Sequence, residues 1–134
     1  LYYTYGEKFF KRLNYDWSTQ PSRINIIKNI KKKENYKKYL EIGCDNDQNF
    51  SQINIEKKIG VDPNKGGTLR MTSDEFFLNN KENFDIIFLD GLHTYEQTIK
   101  DINNSLKFIN DRGVIYFYLY PKHIVHIIML FILG

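Results

Sequence analysis

The sequence predicts an α/β fold, a doubly wound and mostly parallel sheet of about five strands with helices on both faces and an incomplete C-terminal end. Three observations predict it. Residues 39–63 read YLEIGCDNDQNFSQINIEKKIGVDP, two apolar runs closing on Glu-Ile-Gly and Gly-Val-Asp, at close to the shortest spacing that allows a parallel crossover. Residues 84–90 read FDIIFLD, an unbroken apolar run that suits a strand buried on both faces. Between such runs lie stretches of helical periodicity, and that alternation is the pattern of a parallel sheet.

Each element has its own local reason. In residues 1–17, Phe9, Phe10, Leu13 and Trp17 recur at helical spacing and suggest a short helix packed on the domain, with an aromatic lid as the alternative. Pro21 suits a first helical turn, and Ile24, Ile27 and Ile30 follow as the apolar side of an amphipathic helix. Its far end is basic (Lys28, Lys31, Lys32, Lys33, then Lys37 and Lys38), which complements the helix dipole on a solvated face. Strands are expected over 39–43 and 59–62, separated by a polar turn and a segment that could form a short helix. The NKGG stretch at 64–67 is a turn, and 69–71 could be a short third strand. Thr72 and Glu75 have capping-box spacing ahead of Phe76, Phe77 and Leu78. After the 84–90 strand, Thr94 and Gln97 repeat that spacing and open a helix with Tyr95, Ile99, Ile102, Leu106 and Ile109 on one stripe. Asp111-Arg112-Gly113 then turns into a strand over 114–118.

Composition narrows the function. A chain of 134 residues holds one domain, and its 42% apolar and 16% aromatic content is that of a globular protein. Net charge is only +3, so binding nucleic acid by charge alone is not expected, and no motif or aromatic interleaving points there. The lone Cys44 rules out an internal disulfide and agrees with a cytoplasmic protein. The abundance of Asn, Lys and Ile, with no Ala, reads as coding bias. From 119 the chain reads as an aberrant apolar tail. Its run over 124–133 is about half the ~20 residues a membrane span needs, so no span is expected. The missing N-terminal Met suggests an absent leading part. Oligomeric state is not readable.

In a sheet of this kind ligands bind at the carboxyl ends of the strands. Glu41, Gly43, Asp62, Ser73, Asp74, Asp90 and His93 all fall there. A dinucleotide needs a glycine-rich turn that lets backbone meet a pyrophosphate. Residues 43–49 (GCDNDQN) offer one glycine and two carboxylates, which would repel it. A cofactor carrying a sulfonium and an ammonium group suits that turn better. Cys44 reads as a small buried residue rather than a reactive thiol.

The phrases YLEIGC, IGVDP, TSDEFF and FDIIFLDGLHTYEQTIKDI resemble S-adenosylmethionine-dependent methyltransferases of the Rossmann-like class, in particular the methyltransferase domain 24 group. The resemblance runs from about Trp17 to Tyr116, and LDGLHTYE is its most specific part. It implies domain limits of 1–38 for an N-terminal helical cap, 39–118 for a cofactor-binding methyltransferase core and 119–134 for the tail. It further implies Glu41 and Gly43 near the methionine part of the cofactor, Asp62 on the ribose hydroxyls, and Ser73 or Asp74 beside the adenine. Asp90 would lie near the sulfonium, and His93 would take a proton from an acceptor hydroxyl. Asp90 also aligns with a carboxylate that holds a divalent metal such as Mg2+ in related O-methyltransferases. The expected reaction is O-methylation of a small or sugar-like acceptor. The alternatives are a non-catalytic remnant or binding module with the same fold and, more distantly, an NAD-dependent oxidoreductase. The sequence departs from the group at Asn46-Asp47, where a second glycine is usual. It departs again after 114–118, where a His-Asp pair, a proline and two more strands are usual. A truncated or frame-shifted end is the expectation that follows.

Overall fold

Three strands that end level with one another define the architecture. The computed structural model describes residues 22–91, 94–119 and 126–131. Its elements are α1 (Arg23–Glu34), β1 (Lys38–Ile42), β2 (Lys57–Val61), α2 (Ser73–Asn79), β3 (Phe84–Leu89), α3 (Tyr95–Phe108), β4 (Ile109–Leu119) and β5 (His126–Phe131). One sheet forms in the order β2-β1-β3-β4-β5. The first three pairings are parallel, and β5 runs antiparallel to β4. Ile42 is in register with both Val61 and Leu89, so β1, β2 and β3 finish at one edge.

Alternation along β1 sends side chains into two cores. Leu40 and Ile42 join Val61, Ile87, Leu89, Ile115 and the α2 residues Phe76 and Phe77 on one face. Tyr39 joins Ile86, Phe88, Tyr116, Phe50, Ile53 and the α1 residue Ile27 on the other. Burial on both faces is why these strands read as continuous apolar runs. Each large side chain so buried contributes roughly 1.5–3 kcal/mol before entropy is counted.

The helices start and stop where local chemistry requires. Ser22 Oγ accepts from the Asn25 amide at the start of α1, and Asn35 ends the helix in the left-handed region at φ 55°. At α2 the Thr72–Glu75 capping box is complete. At α3 only half of it forms: Thr94 Oγ1 accepts from the Gln97 amide, while the Gln97 side chain turns to Ser73, Asp74 and Asp101.

The structure corrects four expectations. The segment between β1 and β2 makes only a single 3-10 turn, Phe50–Gln52. The third strand shrinks to one parallel bridge between Val61 and Leu69. The Asp111-Arg112-Gly113 turn lies inside β4, as an irregularity where the register jumps from Phe84↔Ile109 to Ile86↔Val114. Asp85 holds that irregularity together, accepting from Asn110 Nδ2 and from the amides of Lys37 and Lys38. The fourth correction concerns the tail. Residues expected to be aberrant supply β5, which pairs from Val114↔Phe131 to Leu119↔His126 and covers the edge of β4. The readings of residues 1–17 and of Pro21 lie outside the described residues, as does His93.

The expected stripe on α3 is also only partly buried. Tyr95 is 72% exposed, and Ile99 and Leu106 are exposed too. Ile102, Phe108 and Ile109 pack on the core, while the polar Asp101 and Ser105 are buried. The hydrogen bonds that Gln97 makes to Ser73, Asp74 and Asp101 hold the helix in that orientation. Among the described residues, no helix is long and apolar enough to cross a membrane.

Two substitutions test this packing by urea denaturation. Thr72→Ala, which removes the hydroxyl that accepts from the Glu75 amide and leaves the Thr72 amide to Glu75 Oε2 bond, is expected to cost ~1 kcal/mol. The Ser105 hydroxyl is fully buried with no partner. Ser105→Ala is therefore expected to leave stability unchanged or to raise it by up to ~1 kcal/mol, whereas a clear loss would mean the hydroxyl has a partner.

Candidate functional site

Strand order reverses between β1 and β3, because β1 leads outward to β2 on one side and β3 leads to β4 on the other. A crevice opens at such a point, beyond the carboxyl ends of the two strands. Here the edge is fixed by two backbone hydrogen bonds, Gly43 N to Val61 O and Asp90 N to Ile42 O, each 2.8 Å. Gly43 has φ +84°, and a Cβ on it would sit 2.3 Å from the Asp90 carbonyl oxygen. Only glycine fits there.

A cleft of about 470 Å³ occupies this position. Glu41, Gly43, Asp45, Asn49 and Asp90 line it from the strand ends and the following turn. The start of α1, with Ser22, Arg23 and Ile24, forms its other wall. Glu41 points to the α1 face because Tyr39, two residues earlier on β1, does. Its Oε2 accepts from Tyr39 Oη and from Asn49 Nδ2, the latter at 2.8 Å. Burial pushes the Glu41 carboxyl up to about 7; the Tyr39 and Asn49 hydrogen bonds offset this in part, and the charges of Asp90 and Asp47 add to it. Asn49 is 8% exposed and its Oδ1 has no partner among the described residues. The cleft thus holds a carboxyl poised near neutrality and an unpaired buried acceptor. Asp90 is ion-paired with Arg23 across the mouth.

The other expected residues divide into two groups. Asp62 does not line this cleft but ties two loops together. Its Oδ1 accepts from the amides of Asn64 and Lys65, and its Oδ2 from the amide of Asp45. Burial alone would raise its pKa, but those amides outweigh it and hold the carboxyl below its usual value. Of the roughly four acceptor positions on a carboxylate, one remains. The turn carboxylates are engaged in the same way: Asp47 Oδ1 accepts from Gly67 N at 2.7 Å, and Asp45 pairs with Lys65 at 2.8 Å. Cys44 is buried against Gly60, and burial pushes its thiol well up, as the bland reading of it expects.

Ser73 and Asp74 belong to a polar cluster on the opposite face. Gln97 Nε2 donates to Ser73 Oγ, Asp74 Oδ1 and Asp101 Oδ1, and Lys100 Nζ reaches Asp74 Oδ2 at 2.6 Å. The Lys100 and Gln97 hydrogen bonds hold Asp74 below its usual pKa. Burial raises that of Asp101, only partly countered by Ser73 and Gln97. Sequence reasoning missed Arg23, Asn49, Gln97 and Asp101. For the last two a signal exists, since Gln97, Asp101 and Ser105 recur at i, i+4 and i+8 beside the apolar row.

A divalent metal at Asp90 fits poorly. Among the described residues no three His, Cys, Asp or Glu side chains converge on a point. An amino-acid ammonium fits better, given the Glu41 carboxyl and the Asn49 Oδ1, which has no partner among the described residues.

The comparisons bear on the fold that carries this cleft. An O-methyltransferase from Bacillus cereus, crystallised in complex with SAH, superposes with a TM-score of 0.58 at 13% identity, over 79% of this chain and 59% of its own. A candidate caffeoyl-CoA O-methyltransferase from Staphylococcus aureus gives 0.55 at 17% identity, over 86% and 63%. The chain thus spans about three fifths of the length of these structures, and the likeness is one of fold. No curated protein matches the sequence. A family model described as a methyltransferase domain, the domain 24 group, matches residues 22–117. That match takes in every strand and helix from α1 to β4 that frames the cleft, and the chain belongs to this methyltransferase-domain family, with its Rossmann-like fold.

Proposed function

We propose that the cleft binds S-adenosylmethionine and that the protein transfers its methyl group to an oxygen of a small or sugar-like acceptor. The observation that carries this is the acidic cleft at the β1/β3 switch point, where a buried carboxyl and an unpaired buried amide oxygen meet within a methyltransferase-family domain. When bound, the cofactor supplies a methyl group made electrophilic by the positive charge on its sulfur.

The chain's residues would then work as follows. Glu41 and the Asn49 Oδ1 accept from the ammonium of the amino-acid part, and Gly43 leaves room for close approach of backbone. The remaining acceptor position of Asp62 serves a ribose hydroxyl, while Ser73 and Asp74, organised by Gln97, face the adenine side. Asp90, paired with Arg23, stands at the reacting edge near the sulfur. His93, three residues on, would take the acceptor's hydroxyl proton as a general base while the methyl–sulfur bond breaks and S-adenosylhomocysteine leaves. Holding the two reactants in line supplies much of the rate. A second reading, binding without turnover, draws support from Asp90 being committed to Arg23 rather than open to an acceptor.

Calorimetry tests the cofactor. S-adenosylhomocysteine is expected to bind and NAD not to; NAD binding with no response to S-adenosylhomocysteine would sink the proposal.

The Glu41 carboxyl gives a pH test. Its folded-state pKa of about 7 lies above its ordinary value of 4.5. The stability it contributes is therefore fully present below the ordinary value and is lost as pH rises through about 7. On linkage grounds the loss is ~3 kcal/mol. Glu41→Gln should accordingly gain up to that amount on wild type between pH 5 and pH 8 in urea unfolding. Wild-type affinity for S-adenosylhomocysteine should strengthen as Glu41 ionises across the same window, while Glu41→Gln should bind weakly with little pH dependence. A wild-type affinity that is flat across the window would remove Glu41 from the binding role.

A further inference from the structure

The resemblance implies a divalent cation at Asp90, and the described residues place a different cation there. Arg23 Nη1 donates to Asp90 Oδ2. The pair links the first residue of α1 to the residue just after β3, 67 positions apart. Its geometry is set from both ends. Ser22 caps α1 and Ile27 anchors the helix in the core, so the guanidinium is delivered to the cleft mouth by a packed element. The Asp90 amide is bonded to Ile42 O, so its carboxyl is presented from the sheet edge. The Asp90 side chain is only 20% exposed, and Arg23, itself 45% exposed, covers it from the solvent side.

The donor set around Asp90 argues the same way. A Mg2+ ion demands a near-octahedral set of oxygens, usually one or two carboxylates with waters and substrate oxygens. The other carboxyls of this cleft are already committed. Glu41 receives Tyr39 and Asn49, and Asp45 is paired with Lys65. A metal would have to displace a guanidinium that carries its charge at every physiological pH. A planar guanidinium can also orient an oxygen acceptor by donating to it, as well as neutralising Asp90.

We propose that Arg23 stands in for the divalent cation: its guanidinium is the fixed positive charge at Asp90, and this cleft works without a metal. The proposal rests on the methyl-transfer reading for its purpose, but its test does not depend on that reading. Arg23 is thereby a positioning residue that acts through Asp90.

Mn2+ titration followed by electron paramagnetic resonance tests it directly, with Mn2+ alone as the probe. Wild type should show no specific Mn2+ site, and Arg23→Lys should show none either because it keeps the charge. Arg23→Met, checked for folding by circular dichroism, should bind Mn2+ about tenfold or more tighter by releasing the carboxylate. The double variant Arg23→Met/Asp90→Asn should lose that site again. A tight Mn2+ site in wild type overturns the proposal, and so does absence of binding in Arg23→Met, since the guanidinium would then not be what keeps a cation from Asp90. Should Arg23→Met fail to fold, nitrogen-15 NMR of the arginine side chains in wild type decides. A guanidinium signal held in slow exchange and untouched by Mn2+ supports the pair, and paramagnetic broadening of it overturns it. Failure of S-adenosylhomocysteine to bind strikes the cofactor assignment alone and is read in a separate titration.

Discussion

The structure depends on how closely the ends of β1 and β3 approach each other at Gly43. A side chain there would overlap the Asp90 carbonyl and the Gly91 Cα, and the backbone takes a left-handed turn at the same residue. That contact lets Asp90 N bond to Ile42 O and Gly43 N to Val61 O, so three strands stop level. With the ends level, the loops beyond β1 and β2 can interleave, Asp62 and Asp47 receiving amides across the gap. The cleft is what remains when those loops fold outward and α1 closes one side. A looser approach at Gly43 would tilt the whole edge, and Glu41, Asn49 and Asp90 would no longer share one cavity.

Polar groups at this edge are held at some cost. Glu41 is 1% exposed and Asp101 is 3% exposed, and among the described residues neither is in an ion pair, although Lys100 lowers the pKa of Asp101 from a distance. Both have raised pKa values as a result. By contrast, Asp62 and Asp85, which join loops and strand starts, are surrounded by amide donors and lie low. Carboxyls that build the scaffold accept from backbone amides, whereas the one in the cleft and the one beneath Gly91 accept only from neutral side chains. That division separates the residues that hold the edge from those available to a ligand.

Much of the fold was legible because burial on two faces leaves a mark in one dimension. β1, β2 and β3 announce themselves as apolar runs ending in Gly or Asp, α1 by its row of isoleucines and α2 by its capping-box spacing. The tail was not legible for the opposite reason. HIIMLF has neither alternation nor a polar boundary, and only its pairing with β4, a partner distant in character, makes it a strand. The α3 stripe misled because apolar periodicity shows which residues could be buried, while Gln97 and its three acceptors decided which were. At the site, Glu41, Gly43 and Asp90 could be read from strand ends. Arg23 could not, since nothing near it in sequence marks a partner so far along the chain. Asp62 was legible as a strand-end acid, yet its loop-joining role came from glycine-rich backbone whose amides sequence does not aim.

The unpaired Asn49 oxygen has a consequence outside binding itself. A buried acceptor with no donor, beside a carboxyl reluctant to ionise, leaves the empty domain less stable than its packing alone would make it. A ligand that supplies the missing donor stabilises only the folded state, by mass action. Inside a cell the empty form is then the one that opens more often and meets proteases sooner. Abundance of the protein would then rise with the supply of its ligand.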